Sequence, residues 1–176
     1  MLFRSCLSSV NAEKFLEWRD HPTFIEDVMR FLDNVLQDFI DSAPQEMAHA
    51  VYAASRERSV GLGLMGFHSF LQSQGVPFES ALAKSWNMRI FKHLRRGADK
   101  ASVKLAEERG ACPDAEERGV MERFSHKLSI APTASISIIC GGTSAGIEPI
   151  PANVYTHKTL SGSFRSEEHT SELQSH

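Results

Sequence analysis

Apolar residues recur at three- and four-residue steps along most of the chain. After His21-Pro22, Thr23 can cap a helix whose inner face is Phe24, Val28, Phe31, Leu32, Val35, Leu36, Phe39 and Ile40. Pro44 stops that helix and can open the next, with Met47, Ala50, Val51 and Ala54 inward. The pattern predicts a third helix from about Val60 to Ser73, ended by Gly75 with Pro77 beyond. The longest begins near Glu79, sets Leu82, Trp86, Ile90, Leu94, Ala98, Ala101 and Leu105 on one stripe, and ends at Gly110. Its other face, Lys92, Arg95, Arg96, Lys100 and Lys104, reads as solvated. A turn at Cys112-Pro113-Asp114 precedes a short helix from Ala115 to about Phe124.

After His126 the helical period stops. A β-like run, Leu128 to Ile130, leads into Pro-Thr-Ala-Ser, an apolar stretch Ile136 to Cys140, and Gly141-Gly142. Helices followed by strands too few to close a sheet predict a piece of a larger α/β domain.

Composition narrows the function classes. The chain has 176 residues, 41% hydrophobic and 23% charged, with net charge −3, which fits an ordinary soluble domain and argues against a nucleic-acid partner. No apolar run approaches the roughly 18 residues of a membrane span. Cys6, Cys112 and Cys140 lie far apart, so no disulfide framework is expected and a reducing cytoplasm is the default. The eight histidines show no metal-ligand pairing on a helix, and no metal site is expected. The segment Arg165 to His176, RSEEHTSELQSH, has no apolar period and resembles a translated sequencing adapter, as does Met1 to Ser5. We therefore expect residues 6–164 to be a cut piece of a longer product, with a natural disordered tail as the alternative for the last twelve residues.

Several constellations carry candidate chemistry. Gly61-Leu62-Gly63-Leu64-Met65-Gly66 matches a dinucleotide-binding turn, but the helical, charged segment before it offers no preceding strand. Close helix packing through the glycines is the plainer reading. Ala131-Pro132-Thr133-Ala134-Ser135-Ile136-Ser137 interleaves hydroxyls with small residues, and a chain turning into a helix here would aim free amides at one spot suited to phosphate. An unliganded hydroxyl-rich turn competes with that reading. Gly141-Gly142-Thr143-Ser144-Ala145-Gly146 lacks the lysine of a P-loop and reads as a tight loop. Glu148 reads as a hydrogen-bonded structural carboxylate, and Cys112 and Cys140 as small buried or turn thiols.

The stretch IAPTASISIICGGTSAGIEPIPANVYTHKTLSGSF, with CLSSVN, FIEDVMRFLDNVLQDFI, RSVGLGLMGF and ERGACP in the same order, resembles the catalytic large subunit of class I ribonucleotide reductase. The resemblance implies a fragment of a ten-stranded α/β barrel, helix-rich in its first two thirds. It also implies cytoplasmic, thiyl-radical reduction of ribonucleoside diphosphates. The radical would come from a metal-containing small subunit, the reductant would be thioredoxin or glutaredoxin, and the complete protein would be a homo-oligomer. In that family the Pro-Thr-Ala-Ser loop holds the substrate's phosphates. Carried over, Thr133 and Ser135 give hydroxyl donors, and the amides of Ala134, Ser135 and Ile136 complete the cradle. Cys6 aligns with the residue after the family's redox cysteine, so no thiol chemistry is assigned to it. The Asn-x-Cys-x-Glu radical loop does not occur in this sequence, so the chain is expected to hold no catalytic residue, bind no cofactor and be inactive alone. The reading from another class is a non-catalytic helical interaction module.

Overall fold

The structure is a computed structural model describing residues 6–152, 154–159 and 162–167, with side chains described for 6–152. Strand β1 (Cys6–Asn11) passes through a 3-10 turn into α1 (Phe15–Trp18). Helices α2 (Phe24–Ser42) and α3 (Ala48–Glu57) follow, and strand β2 (Val60–Met65) returns parallel to β1, in register from Cys6 opposite Val60 to Asn11 opposite Met65. A parallel pair needs such a crossover.

Val60–Met65 is therefore a strand and not the start of a helix. Arg58 ends α3 in the left-handed conformation, φ 42°, and the next six residues alternate apolar with small. Val60, Leu62 and Leu64 enter the core beside α2 and α5, and the glycines occupy the opposite face. A short, fully buried apolar run cannot be told from a helix by hydrophobicity alone. Only after Gly66, φ 75°, does α4 (Phe67–Ser73) begin.

Helix α5 (Ala81–Arg109) is capped by Ser80, whose Oγ accepts the Ala83 amide, and ends at Gly110. Its stripe is buried from Ile90 onward, and only Leu82 of the stripe is exposed. Gly97 lets α5 lie directly on Ile25 of α2. Thr23 does not cap α2, because its hydroxyl bonds the Asp27 carboxylate instead. Helix α6 (Pro113–Glu116) is a single turn that Gly119, φ 67°, keeps from reaching Phe124, while Phe124 itself is buried in the core.

A buried charge cluster joins these elements. Asp33 on α2 is fully buried and receives Arg58, Arg109 and Arg123, with Arg58 Nη2 at 2.6 Å and Arg109 Nη1 at 2.7 Å. Burial acts to raise the Asp33 carboxyl, but hydrogen bonds from Arg123 and Arg58, with the charge of Arg58 and the bond from Arg109, hold it below the usual carboxylate range.

Beyond α5, the 126–129 segment pairs with the second edge of β2. Val60 N–H donates to His126 O at 3.0 Å, Leu62 N–H to Lys127 O at 2.9 Å and Ser129 N–H to Leu62 O at 3.2 Å. The apolar run after Pro-Thr-Ala-Ser is helix α7 (Ile136–Ile139). Strands β3 (Val154–Thr159) and β4 (Gly162–Glu167) pair antiparallel. Arg165 to Glu167, set aside on pattern grounds, fall within β4; residues 1–5 and 168–176 lie outside the described residues.

Candidate functional site

The glycines of β2 determine where the hydroxyl-rich turn sits. A Cβ at Gly63 would fall against the carbonyl oxygen of Ser129, and one at Gly61 against Leu7 and the Ser129 Cβ. Bare backbone there lets the chain leave the strand edge at Ser129 and cross the sheet face. It then enters Pro132-Thr133-Ala134-Ser135. Thr133 has φ 54°, an outlier for a β-branched residue, and its carbonyl accepts the Ser137 amide at 2.9 Å to start α7.

Within this turn the predicted residues split into two kinds. Thr133 is buried, and its Oγ1 accepts the Gly146 amide at 2.7 Å, so its hydroxyl is tied inward. Ser135 and Ile136 are exposed. Among the described residues, the amides of Ala134, Ser135 and Ile136 have no hydrogen-bond partner. Three consecutive amides beside an exposed hydroxyl can donate together to one anion.

The following loop is held by the first turn of α4. Gly66 N–H donates to Ser144 O at 2.7 Å and Phe67 N–H to Gly146 O at 3.5 Å. Ser69 and Ser144 bond reciprocally: Ser69 N–H donates to Ser144 Oγ at 3.2 Å, and Ser144 N–H to Ser69 Oγ at 2.9 Å. Ile150 N–H donates to His68 Nδ1 at 2.8 Å, and Thr143 Oγ1 donates to Asn11 Oδ1 at 3.4 Å.

These bonds explain why the glycine pattern does not mark a dinucleotide site. The strand and helix do flank Gly66, but the first two glycines lie inside the strand and the helix's leading amides are taken by Ser144 and Gly146. The packing the glycines permit is of a crossing chain on a strand, not of helices. Residues 141–146 form a tight loop, with Gly141, Gly142 and Gly146 all at positive φ.

Other candidates fall out differently. The Glu148 side chain is exposed and makes no hydrogen bond among the described residues, contrary to the structural role expected of it. Cys112 is buried and Cys140 lies exposed in the turn that ends α7, each within the expectation of a buried or turn thiol. Burial pushes the Cys6 thiol up, which disfavours the thiolate. Sequence reasoning missed Asn11, His68 and Ser69 as parts of the site and read Ser144 only as part of a tight loop, because their partners are 75 to 132 residues away.

Comparison with known proteins agrees with this architecture. The family described as "Ribonucleotide reductase, barrel domain" matches residues 4–122 and 114–174. The chain is 48% identical over 159 residues to a ribonucleoside-diphosphate reductase large subunit of Invertebrate iridescent virus 6, covering 90% of this chain and 16% of that protein. It is 35% identical over 160 residues to a vitamin B12-dependent ribonucleoside-diphosphate reductase of Mycobacterium tuberculosis, covering 88% of this chain and 23% of that one. In structure it is similar to the Actinobacillus ureae class Id ribonucleotide reductase alpha subunit, with TM-score 0.80 and 38% identity, over 85% of this chain and 28% of that one. The chain thus spans about a sixth to a quarter of the length of these relatives, and it belongs to the ribonucleotide reductase barrel-domain family.

Proposed function

We propose that this segment supplies the phosphate-holding turn of a reductase that converts ribonucleoside diphosphates to deoxyribonucleoside diphosphates. The observation that carries the reading is the row of unpartnered amides at Ala134, Ser135 and Ile136 beside the exposed Ser135 hydroxyl. Amide and hydroxyl donors form charge-assisted bonds to a diphosphate and hold it without cleaving it. That suits a reaction taking place at the ribose, where fixed phosphates orient the sugar for hydrogen abstraction. Thr133 takes part through its backbone and its buried hydroxyl, which shape the turn.

The radical chemistry belongs to other parts of the complete, homo-oligomeric protein, which is served by two separate partners: a small subunit that starts the radical and a thioredoxin or glutaredoxin that restores the reduced state. Identity of 48% with a protein named a large subunit, against 35% with a vitamin B12-dependent one, supports the small-subunit partner.

The test uses the complete subunit that carries this segment. Ser135→Ala removes one donor, and Ser135→Glu places a like charge at an exposed position where folding tolerates it. Loss of one charge-assisted bond is worth about 1–3 kcal/mol, so Ser135→Ala should raise KM for each ribonucleoside diphosphate roughly 5- to 150-fold, and Ser135→Glu further. An unchanged KM in both variants overturns the reading.

A further inference from the structure

We propose that Ser69 and Ser144 are positioning residues for the diphosphate: a reciprocal hydrogen-bonded pair that holds the Thr133–Ile136 turn in its binding shape from outside. This rests on the reading of that turn as the phosphate site. Neither serine belongs to the turn. Ser69 sits on α4, and Ser144 is buried in the following loop.

The connection runs through three contacts. The Ser69–Ser144 pair closes a two-bond ring, with backbone and hydroxyl of each residue bonded to the other. Gly66 N–H bonds Ser144 O and Phe67 N–H bonds Gly146 O, so residues 144–146 are fixed to the start of α4 at both ends. The Gly146 amide is then aimed at Thr133 Oγ1, 2.7 Å away. Thr133 needs that partner, because a β-branched residue at φ 54° is strained and persists only where its surroundings hold it. With the serine ring open, the loop keeps only the Gly66 N–H to Ser144 O bond and the long Phe67 N–H to Gly146 O contact, so Gly146 can shift, Thr133 can relax toward negative φ, and the row of unpartnered amides from Ala134 to Ile136 is no longer held in place.

This geometry assigns work to the short helix α4 that its core packing does not require. Phe67, Phe70 and Leu71 anchor α4 in the core, while Gly66 to Ser69 hold the loop.

The experiment is done in the complete subunit with Ser69→Ala, Ser144→Ala and Ser69→Thr, alongside Ser135→Glu. Measured quantities are KM and kcat for a ribonucleoside diphosphate, inhibition by inorganic pyrophosphate, and hydrogen exchange at the Gly146 amide. One net hydrogen bond corresponds to about a three- to tenfold change. Each alanine variant should raise KM and the pyrophosphate inhibition constant by that factor together, leave kcat within about twofold, and speed exchange at Gly146; Ser69→Thr should restore all three. Alanine variants that melt lower but keep KM and pyrophosphate inhibition overturn the proposal. If Ser135→Glu raises KM while the serine variants do not, the positioning role fails and the phosphate site stands; if none of the variants moves KM, the phosphate site itself fails. Should Ser69→Ala not fold, Ser69→Cys, nearly isosteric and a weaker hydrogen-bonding group, is read against the same criteria.

Discussion

Thr133 Oγ1 accepts the Gly146 amide at 2.7 Å, so the residue that opens the candidate phosphate turn is bound to the loop that follows it. Thr133→Val keeps the shape and removes the acceptor, leaving the Gly146 amide unpaired in a buried place. The expected cost is about 1–3 kcal/mol of stability with a raised substrate KM. Thr133→Ser keeps the oxygen and should restore both. Denaturant titration and steady-state kinetics of the two variants in the complete subunit check this.

Gly63 faces the Ser129 carbonyl, and backbone cannot move aside as a side-chain tip can. Gly63→Ala should destabilise by about 1–3 kcal/mol. Gly61→Ala meets the end of the Leu7 side chain as well as the Ser129 Cβ and should cost less. Equal melting temperatures for Gly63→Ala and the parent would refute the crossing path of Ser129.

Asp33 holds three arginines that come from the end of α3, the end of α5 and the segment after α6. Asp33→Ala leaves Arg58 and Arg123, both buried, without a counter-charge, and should cost about 3–5 kcal/mol. The loss should exceed that of Glu108→Ala, because Glu108 is exposed and its half-buried partner Arg30 keeps the Glu26 carboxylate. Chemical denaturation of the two variants side by side gives the comparison.

What could be read from the chain depended on how local the cause was. Helices α2 and α5 are periodic over many turns, so both follow from spacing, and the inner stripe of α5 does too; the face that spacing predicts for α2 is rotated, since Phe31 and Val35 are exposed while Ile25, Met29 and Asp33 join Leu32 and Leu36 inside. β2 was hidden because its six residues are buried on both faces and carry glycines that look like a nucleotide turn. β1 offered no alternation, with Leu7 outward and Cys6 and Val10 inward. The free amides at Ala134 to Ile136 were foreseeable from a helix start after a hydroxyl-rich turn. The Asp33 cluster and the Ser69–Ser144 ring were not, since sequence patterning carries no signal for pairs 25 to 90 residues apart.

Acid should weaken the fold in two stages. His93 packs against Phe15 and Trp18; burial lowers its pKa, with Asp20 opposing and Arg19 assisting. A depressed folded pKa means the unfolded chain takes up the proton first, so this contribution is present above about pH 6.5 and is lost as pH falls through the folded value. Asp33 is likewise depressed, so its contribution is whole above about pH 4 and fades below it. Stability against pH should decline gently below 6.5 and steeply below 4. In His93→Phe the first decline should vanish and the second remain.

The 176-residue chain by itself leaves apolar surface without cover. Among the described residues no strand pairs with the outer edge of β1, and Phe31, Tyr52, Met88 and Ile139 are 62 to 84% exposed. An open parallel edge recruits other chains, and scattered large apolar groups add to the tendency. The core of Phe70, Leu94, Leu105 and their neighbours is well buried, so helix content should survive where uniform tertiary packing does not. We expect retained far-UV circular dichroism, dye binding to exposed apolar surface and concentration-dependent association. A monomer with one sharp calorimetric transition would show that the segment closes its own surfaces.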